Sequence, residues 1–182
     1  MLITTTGFSN LLLLQPRVFS DSRGRFMEVF SEAKFRVETG LNISFVQDNE
    51  SVSSIDVIRG LHFQTPPKGQ AKLVRVSKGS VLDVVVDLRK NEPTYGKHFK
   101  QILSAENAMQ MFIPEGFAHG FHVLEDQTIF SYKCSNYYDP KCEQSLKWND
   151  PTLNIQWDCE NPIVSERDEQ APYFADFETP FF

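Results

Sequence analysis

No stretch of this 182-residue sequence approaches the roughly 20 consecutive apolar residues that a membrane-crossing helix requires. The start, MLITTTGFSNLLLLQP, has an apolar LLLL but neither a basic lead nor a small-residue cleavage site. It reads as a first strand rather than a signal peptide. Cysteine is scarce: Cys134, Cys142 and Cys159 form an odd set without Cys-x-x-Cys spacing, so neither a disulfide framework nor a zinc knuckle is indicated. A reducing cytoplasm is the expected compartment. Positive charge is also short, 18 Lys and Arg against 24 Asp and Glu. The resulting net charge of −6 argues against a general nucleic-acid binder. A small anionic ligand is still compatible with it, because a few converging cations can make a positive pocket on an acidic protein.

Histidine is limited to positions 62, 98, 119 and 122. A barrel metal site would want two His one residue apart on one strand face, followed by a carboxylate and another His. Gln64 stands two after His62, and His119 and His122 are three apart, which in an extended strand puts them on opposite faces. No metal is expected in the site.

What is present is strand. Leu73–Val76, a turn at Ser77-Lys78-Gly79-Ser80, and Val81–Leu88 read as a hairpin. Further apolar-rich segments follow at Phe99–Leu103, Met109–Ile113, Gly120–Leu124 and Ile129–Cys134, separated by NEPTYG, PEGFAHG and LEDQ. Such spacing suggests an all-β sandwich, jelly roll or barrel. Only SEAKFRVETG, residues 31 to 40, looks helical, with a capping Ser and a closing Gly. The tail from Asn149 is Pro-, Asp- and Glu-rich and is expected to wrap the barrel. No repeat or linker interrupts the chain, so one domain is expected. The length suffices for one sizeable core, made unusually aromatic by 16 Phe.

Polar groups gather where strands should end: Arg23 and Glu28; Gln47, Asp48 and Asn49; Arg59 and His62; Lys72; His119; Tyr132 and Tyr138; Glu143. Singly, each has an ordinary reading, since a lone His is more often structural than catalytic and a strand Tyr is usually core. As a cluster embedded in apolar strands of a barrel they can point inward, where burial must be justified by partners. A His near its unperturbed pKa of about 6.5 is the natural base at neutral pH, and a Tyr near about 10 holds its proton until a strong base such as an enolate appears. Cations such as Lys72, Arg23 and Arg59 suit an enolate oxygen or a diphosphate. Together these types suit proton abstraction beside a carbonyl and return of the proton from the other face, which is epimerisation.

The ordered set RGLHFQ, GQAKLVR, SVLDVVVDLRKNEPTYG, LSAEN, IPEGFAHGF, SYKCSNYYDP and WNDP strongly resembles the dTDP-4-dehydrorhamnose 3,5-epimerase family, from about Phe19 to Pro172. The resemblance implies a cupin-type jelly roll with few short helices, without metal or other cofactor, forming a cytoplasmic homodimer. It implies inversion at C3 and C5 of a 4-keto-6-deoxy sugar carried on a nucleoside diphosphate, with no nucleic-acid or membrane partner. By the same resemblance His62 matches the base, Asp168 in VSERDEQAP its supporting carboxylate, Tyr132 the proton donor, and Lys72 the cation near the keto oxygen. Arg23, Glu28, Gln47, Asp48, Asn49, Arg59, His119 and Glu143 match positions that contact the nucleotide-sugar, and Tyr138 an aromatic near base and sugar. Arg167 departs from the pattern, standing where the family more often has Lys. A planar guanidinium is not equivalent to an ammonium, which puts a nucleotide contact in question.

Other readings compete. Related ketoisomerases are expected to carry His-x-His where this chain has His62-x-Gln64, which favours epimerisation. A single-centre epimerase, a non-catalytic nucleotide-sugar-binding barrel and a metal-dependent cupin are the remaining alternatives.

Overall fold

In the computed structural model, which describes residues 1–182, the chain forms thirteen strands, eleven of them in two facing antiparallel sheets. The first sheet runs β1 (Leu2–Thr5), β2 (Leu12–Gln15), β10 (Gln110–Ile113), β7 (Lys72–Lys78), β12 (Thr128–Cys134) and β5 (Gln47–Ser53). The second runs β13 (Glu143–Ser145), β6 (Ile58–Gln64), β11 (Phe117–Val123), β8 (Ser80–Asp87) and β9 (His98–Ser104). A separate hairpin, β3 (Val18–Asp21) with β4 (Gly24–Met27), stands apart from both. This is the all-β architecture that the strand spacing suggested, in the form of the cupin-type jelly roll that the family resemblance implies.

One expectation fails. Lys72–Lys78 and Ser80–Asp87 are not a hairpin: β7 pairs with β10 and β12, whereas β8 pairs with β11 and β9. The turn that joins them is a corner between sheets. Gly79, at φ +77°, makes it, and a Cβ there would lie 2.2 Å from Thr128 Oγ1. A local apolar–turn–apolar pattern is the same for a hairpin and a sandwich corner, so only tertiary packing separates them.

Each sheet face has its own cover. Val74, Val76, Val81, Val85, Met111, Phe121 and Phe130 fill the space between the sheets, with Phe121 and Phe130 stacked at 4.1 Å. The outer face of the second sheet, including Leu82, Val84 and Val86, is covered by Leu153, Ile155, Trp157 and Phe181 of the tail. Both faces of β8 are therefore buried, which explains its nearly unbroken apolar run. The first sheet's outer face is covered by α1 (Glu32–Thr39), capped by Ser31 and closed by left-handed Gly40, as the sequence predicts. Phe35 anchors that helix against Leu14, Leu73 and Phe112, a burial that contributes about 1.5–3 kcal/mol.

Candidate active site

Between the sheets lies a cavity of about 360 Å³ with a mostly polar lining. Its walls differ in what they carry. Strand β6 of the second sheet supplies Arg59, His62 and Gln64, and β11 supplies His119; from the first sheet, β5 supplies Gln47 and Asn49, β7 supplies Lys72, and β12 supplies Tyr132. Tyr138 and Glu143 border it as well.

Positions three apart on a regular strand face opposite ways, yet Arg59 and His62 share this cavity. The cause is a register shift between β6 and β11, where His119 faces His62 but Phe121 faces Arg59. Gly60 allows it: its φ is +131°, and an added Cβ would sit 2.5 Å from the Gly120 Cα. Its N–H also donates to Asp168 Oδ2 at 3.3 Å. We expect Gly60→Ala to destabilise the fold by about 1–3 kcal/mol and to lower turnover as well, read by urea unfolding beside an activity assay. Unchanged values in both would show that the close approach has no structural role.

Asp168, 106 residues away in sequence, lies behind His62, with Oδ1 2.6 Å from His62 Nε2. It is delivered by α2 (Glu166–Glu169), a single helical turn capped by Ser165. Burial works to raise this carboxyl, but the His62 hydrogen bond and charge, the Gly60 N–H and the Ser165 hydroxyl together bring it below its ordinary value. Ionised Asp168 therefore accepts from Nε2–H and leaves the Nδ1 lone pair free. Opposite, the Tyr132 phenol is pushed up by burial and by the charges of Cys134 and Glu143, against the pull of Arg59, so it keeps its proton. Lys72, with Nζ 5.8 Å from the centre of the Tyr132 ring, is pushed down by burial against its anionic neighbours.

A second buried pair stands beside the first. His119 Nε2 lies 3.0 Å from Asp83 Oδ2, and burial pushes the carboxyl up and the imidazole down, each against its partner. Asp83 is not among the site residues expected from the sequence. Its signal was an acid inside the apolar run VLDVVV, which burial in a central strand makes costly without a partner.

At the rim, Glu143 accepts from the Tyr138 hydroxyl at 2.7 Å and pairs with Arg167 at 2.8 Å. Gln47 Oε1 accepts from the Tyr138 N–H, and its amide reaches Asn49. Gln64 is committed to the backbone: it donates to the Lys68 and Tyr137 carbonyls and accepts from the Asp139 N–H.

Three expected site residues are not brought here within one chain. Asp48 alternates with Gln47 and Asn49, so it points outward and pairs with Lys133 at 2.9 Å. Arg23 lies on the β3–β4 hairpin, held by Asp21 at 2.6 Å, and Glu28 pairs with Lys34 beside α1 at 2.7 Å. Neither borders the cavity. Among the histidines, His119 faces the cavity while His122 lies on the other face of β11, as their spacing requires.

The likeness to known proteins covers nearly the whole chain. A family model described as dTDP-4-dehydrorhamnose 3,5-epimerase matches residues 5–176. A dTDP-4-dehydrorhamnose 3,5-epimerase of Shigella flexneri is 46% identical over 176 residues, 97% of each chain. The crystal structure of the Elizabethkingia anophelis dTDP-4-dehydrorhamnose 3,5-epimerase superposes with a TM-score of 0.92 at 48% identity, covering 97% of both chains. That of the Legionella pneumophila dTDP-6-deoxy-D-glucose-3,5-epimerase, in complex with dTDP-4-keto-L-rhamnose, superposes at 0.94 with 40% identity, covering 99% of this chain and 97% of the other. With a matched segment this long and identities this high, the chain belongs to the dTDP-4-dehydrorhamnose 3,5-epimerase family.

Proposed function

We propose that this protein inverts C3 and C5 of dTDP-4-dehydro-6-deoxyglucose to give dTDP-4-dehydro-L-rhamnose, by proton transfer through an enolate. The observation that carries the reading is the His62–Asp168 pair on one wall of the cavity with the Tyr132 phenol on the other. The relatives' names supply the substrate class.

The 4-keto group makes the hydrogens at both C3 and C5 acidic, because either carbanion delocalises onto the same oxygen. His62 Nδ1 takes the proton, and Asp168 holds the ring and balances the imidazolium that forms. Lys72 stabilises the enolate oxygen. Tyr132 returns a proton from the opposite face, giving inversion, and proton exchange with solvent resets both groups. The same pair serves C3 and C5 when the ring is presented twice. Gln64 supports epimerisation over keto-group migration, since its amide is already bonded to three backbone groups. His119, Arg59, Gln47, Asn49, Tyr138, Glu143 and Arg167 are assigned to the sugar and diphosphate.

A homodimer completes this reading. Phe26 on the β3–β4 hairpin is 71% exposed, Phe19 and Val18 beside it are exposed too, and β1 leaves a sheet edge unpaired. A second copy covering that surface would bring Arg23 and Glu28 to a substrate, which is how these two keep the nucleotide contact assigned to them. No helix is long and apolar enough to cross a membrane. All three cysteines are free thiols, which fits the reducing cytoplasm we assign.

The test is to supply dTDP-4-dehydro-6-deoxyglucose and identify the product by proton NMR. We expect the L-rhamno configuration, inverted at both centres. Inversion at one centre, or a keto group moved to C3, would replace this function with a neighbouring one.

A further inference from the structure

His122 projects from the outer face of β11, where the C-terminal tail crosses it. Its Nδ1 lies 2.9 Å from the Trp157 carbonyl oxygen. A carbonyl only accepts, so Nδ1 carries a hydrogen, and in the neutral ring Nε2 presents a bare lone pair. That Nε2 is buried without a hydrogen-bond partner, on a side chain only 3% exposed. What it faces is Asp56 Oδ1, 3.5 Å away, and Cys159 Sγ lies 3.7 Å from the same oxygen. All three atoms fall within 4.8 Å of one another.

We propose that Asp56, His122 and Cys159 form a zinc-binding site, on the opposite face of the second sheet from the cavity, with a fourth position left to water. A thiolate, a neutral imidazole and a carboxylate are the donor set that zinc prefers over magnesium or calcium. Bond lengths of about 2.0–2.3 Å in a tetrahedron put neighbouring donors about 3.3–3.6 Å apart. Two of the three separations, 3.5 and 3.7 Å, already lie near that range. The Trp157 carbonyl does for His122 what an outer partner does for a metal-bound imidazole, fixing the tautomer and the ring direction. The Asp56 side chain is 43% exposed, so solvent and ion reach the site from that side. On binding, the Cys159 thiol gives its proton to solvent as the sulfur–zinc bond forms, and the metal keeps its oxidation state.

The three ligands come from three segments: the β5–β6 turn, β11 and the tail. Beyond Cys159 the tail forms a bridge from Ile163 to Val57 and then enters α2, which carries Asp168. Bound zinc would thus pin the base of the segment that delivers the carboxylate behind His62. Hydrogen bonding alone is the competing explanation of the cluster. It leaves His122 Nε2 without a hydrogen bond, because the Cys159 thiol contacts Asp56 rather than the imidazole and the approach of Nε2 to Asp56 does not form one.

The test uses the full chain, stripped with a chelator and titrated with Co²⁺, a spectroscopically visible stand-in for zinc. We expect tetrahedral d–d bands and a thiolate-to-cobalt charge-transfer band, both saturating at one equivalent and displaced by zinc. Cys159→Ser should lose the charge-transfer band, and Asp56→Asn should weaken Co²⁺ binding roughly tenfold or more. Zinc should raise the melting temperature of the wild type but not of Cys159→Ser. Should His122→Gln fail to fold, the other two variants, at positions solvent reaches, carry the test. Absence of the bands in the wild type, or a charge-transfer band that survives Cys159→Ser, overturns the site.

Discussion

Replacing His62 with Asn should lower turnover of the thymidine-linked 4-keto sugar by about 10²–10⁴-fold while leaving the fold intact. The side chain lines the cavity instead of filling the core; Asn ends short of the position of Nε2, so Asp168 loses the ring but keeps the Gly60 N–H and gains access to cavity solvent. What disappears is the ring nitrogen that takes the substrate's proton. A rhamnose-forming reductase coupled to the reaction reads turnover, and a circular-dichroism melt reads the fold. A folded variant with turnover near the wild-type rate would remove His62 as the base.

Asp168→Asn is the companion change, nearly identical in shape. The carboxylate is buried and takes hydrogen bonds from His62 and the Gly60 N–H. The amide cannot balance an imidazolium, and its NH₂ can turn toward the ring and favour the wrong tautomer. We expect kcat to fall by about 10²–10⁴-fold with KM little changed. Stability carries a second signature. Burial opposes ionisation of Asp168, but its partners outweigh it and the folded pKa is depressed. Its contribution is therefore present above the unfolded value of about 3.9 and is lost as pH falls through the lower folded value. The wild type's stability should decline across that acid window more than the variant's. Equal acid profiles would mean that the carboxylate gains nothing from its partners.

How much of this was legible in the sequence varies with the range of the interaction involved. The helix over residues 32–39 was readable because its Ser31 cap and Gly40 stop are local signals. Strand β8 was readable from its apolar run, but its partners were not, because Gly79 turns a corner that looks like a hairpin turn when only neighbours in sequence are considered. The catalytic assignment came from motif resemblance. Composition alone would have left Asp168 a solvated acid in an acidic tail, since nothing local links it to His62. Asp48 was grouped with Gln47 and Asn49 although strand period separates it from both. The bulge at Gly60, which puts Arg59 and His62 on one wall, depends on contact with Gly120 and has no local signature beyond the glycine itself.

The proposed mechanism divides the labour, with an imidazole on one sheet removing hydrogen from carbon and a phenol on the other returning it. Deuterium uptake at C3 and C5, followed by NMR in deuterated water alongside product formation, tests it most directly. The wild type should incorporate deuterium at both carbons as it inverts them. Tyr132→Phe should go on exchanging hydrogen while epimerised product falls well behind, and His62→Asn should do neither. Exchange at the normal rate in His62→Asn, or equal loss of exchange and product in Tyr132→Phe, would contradict it.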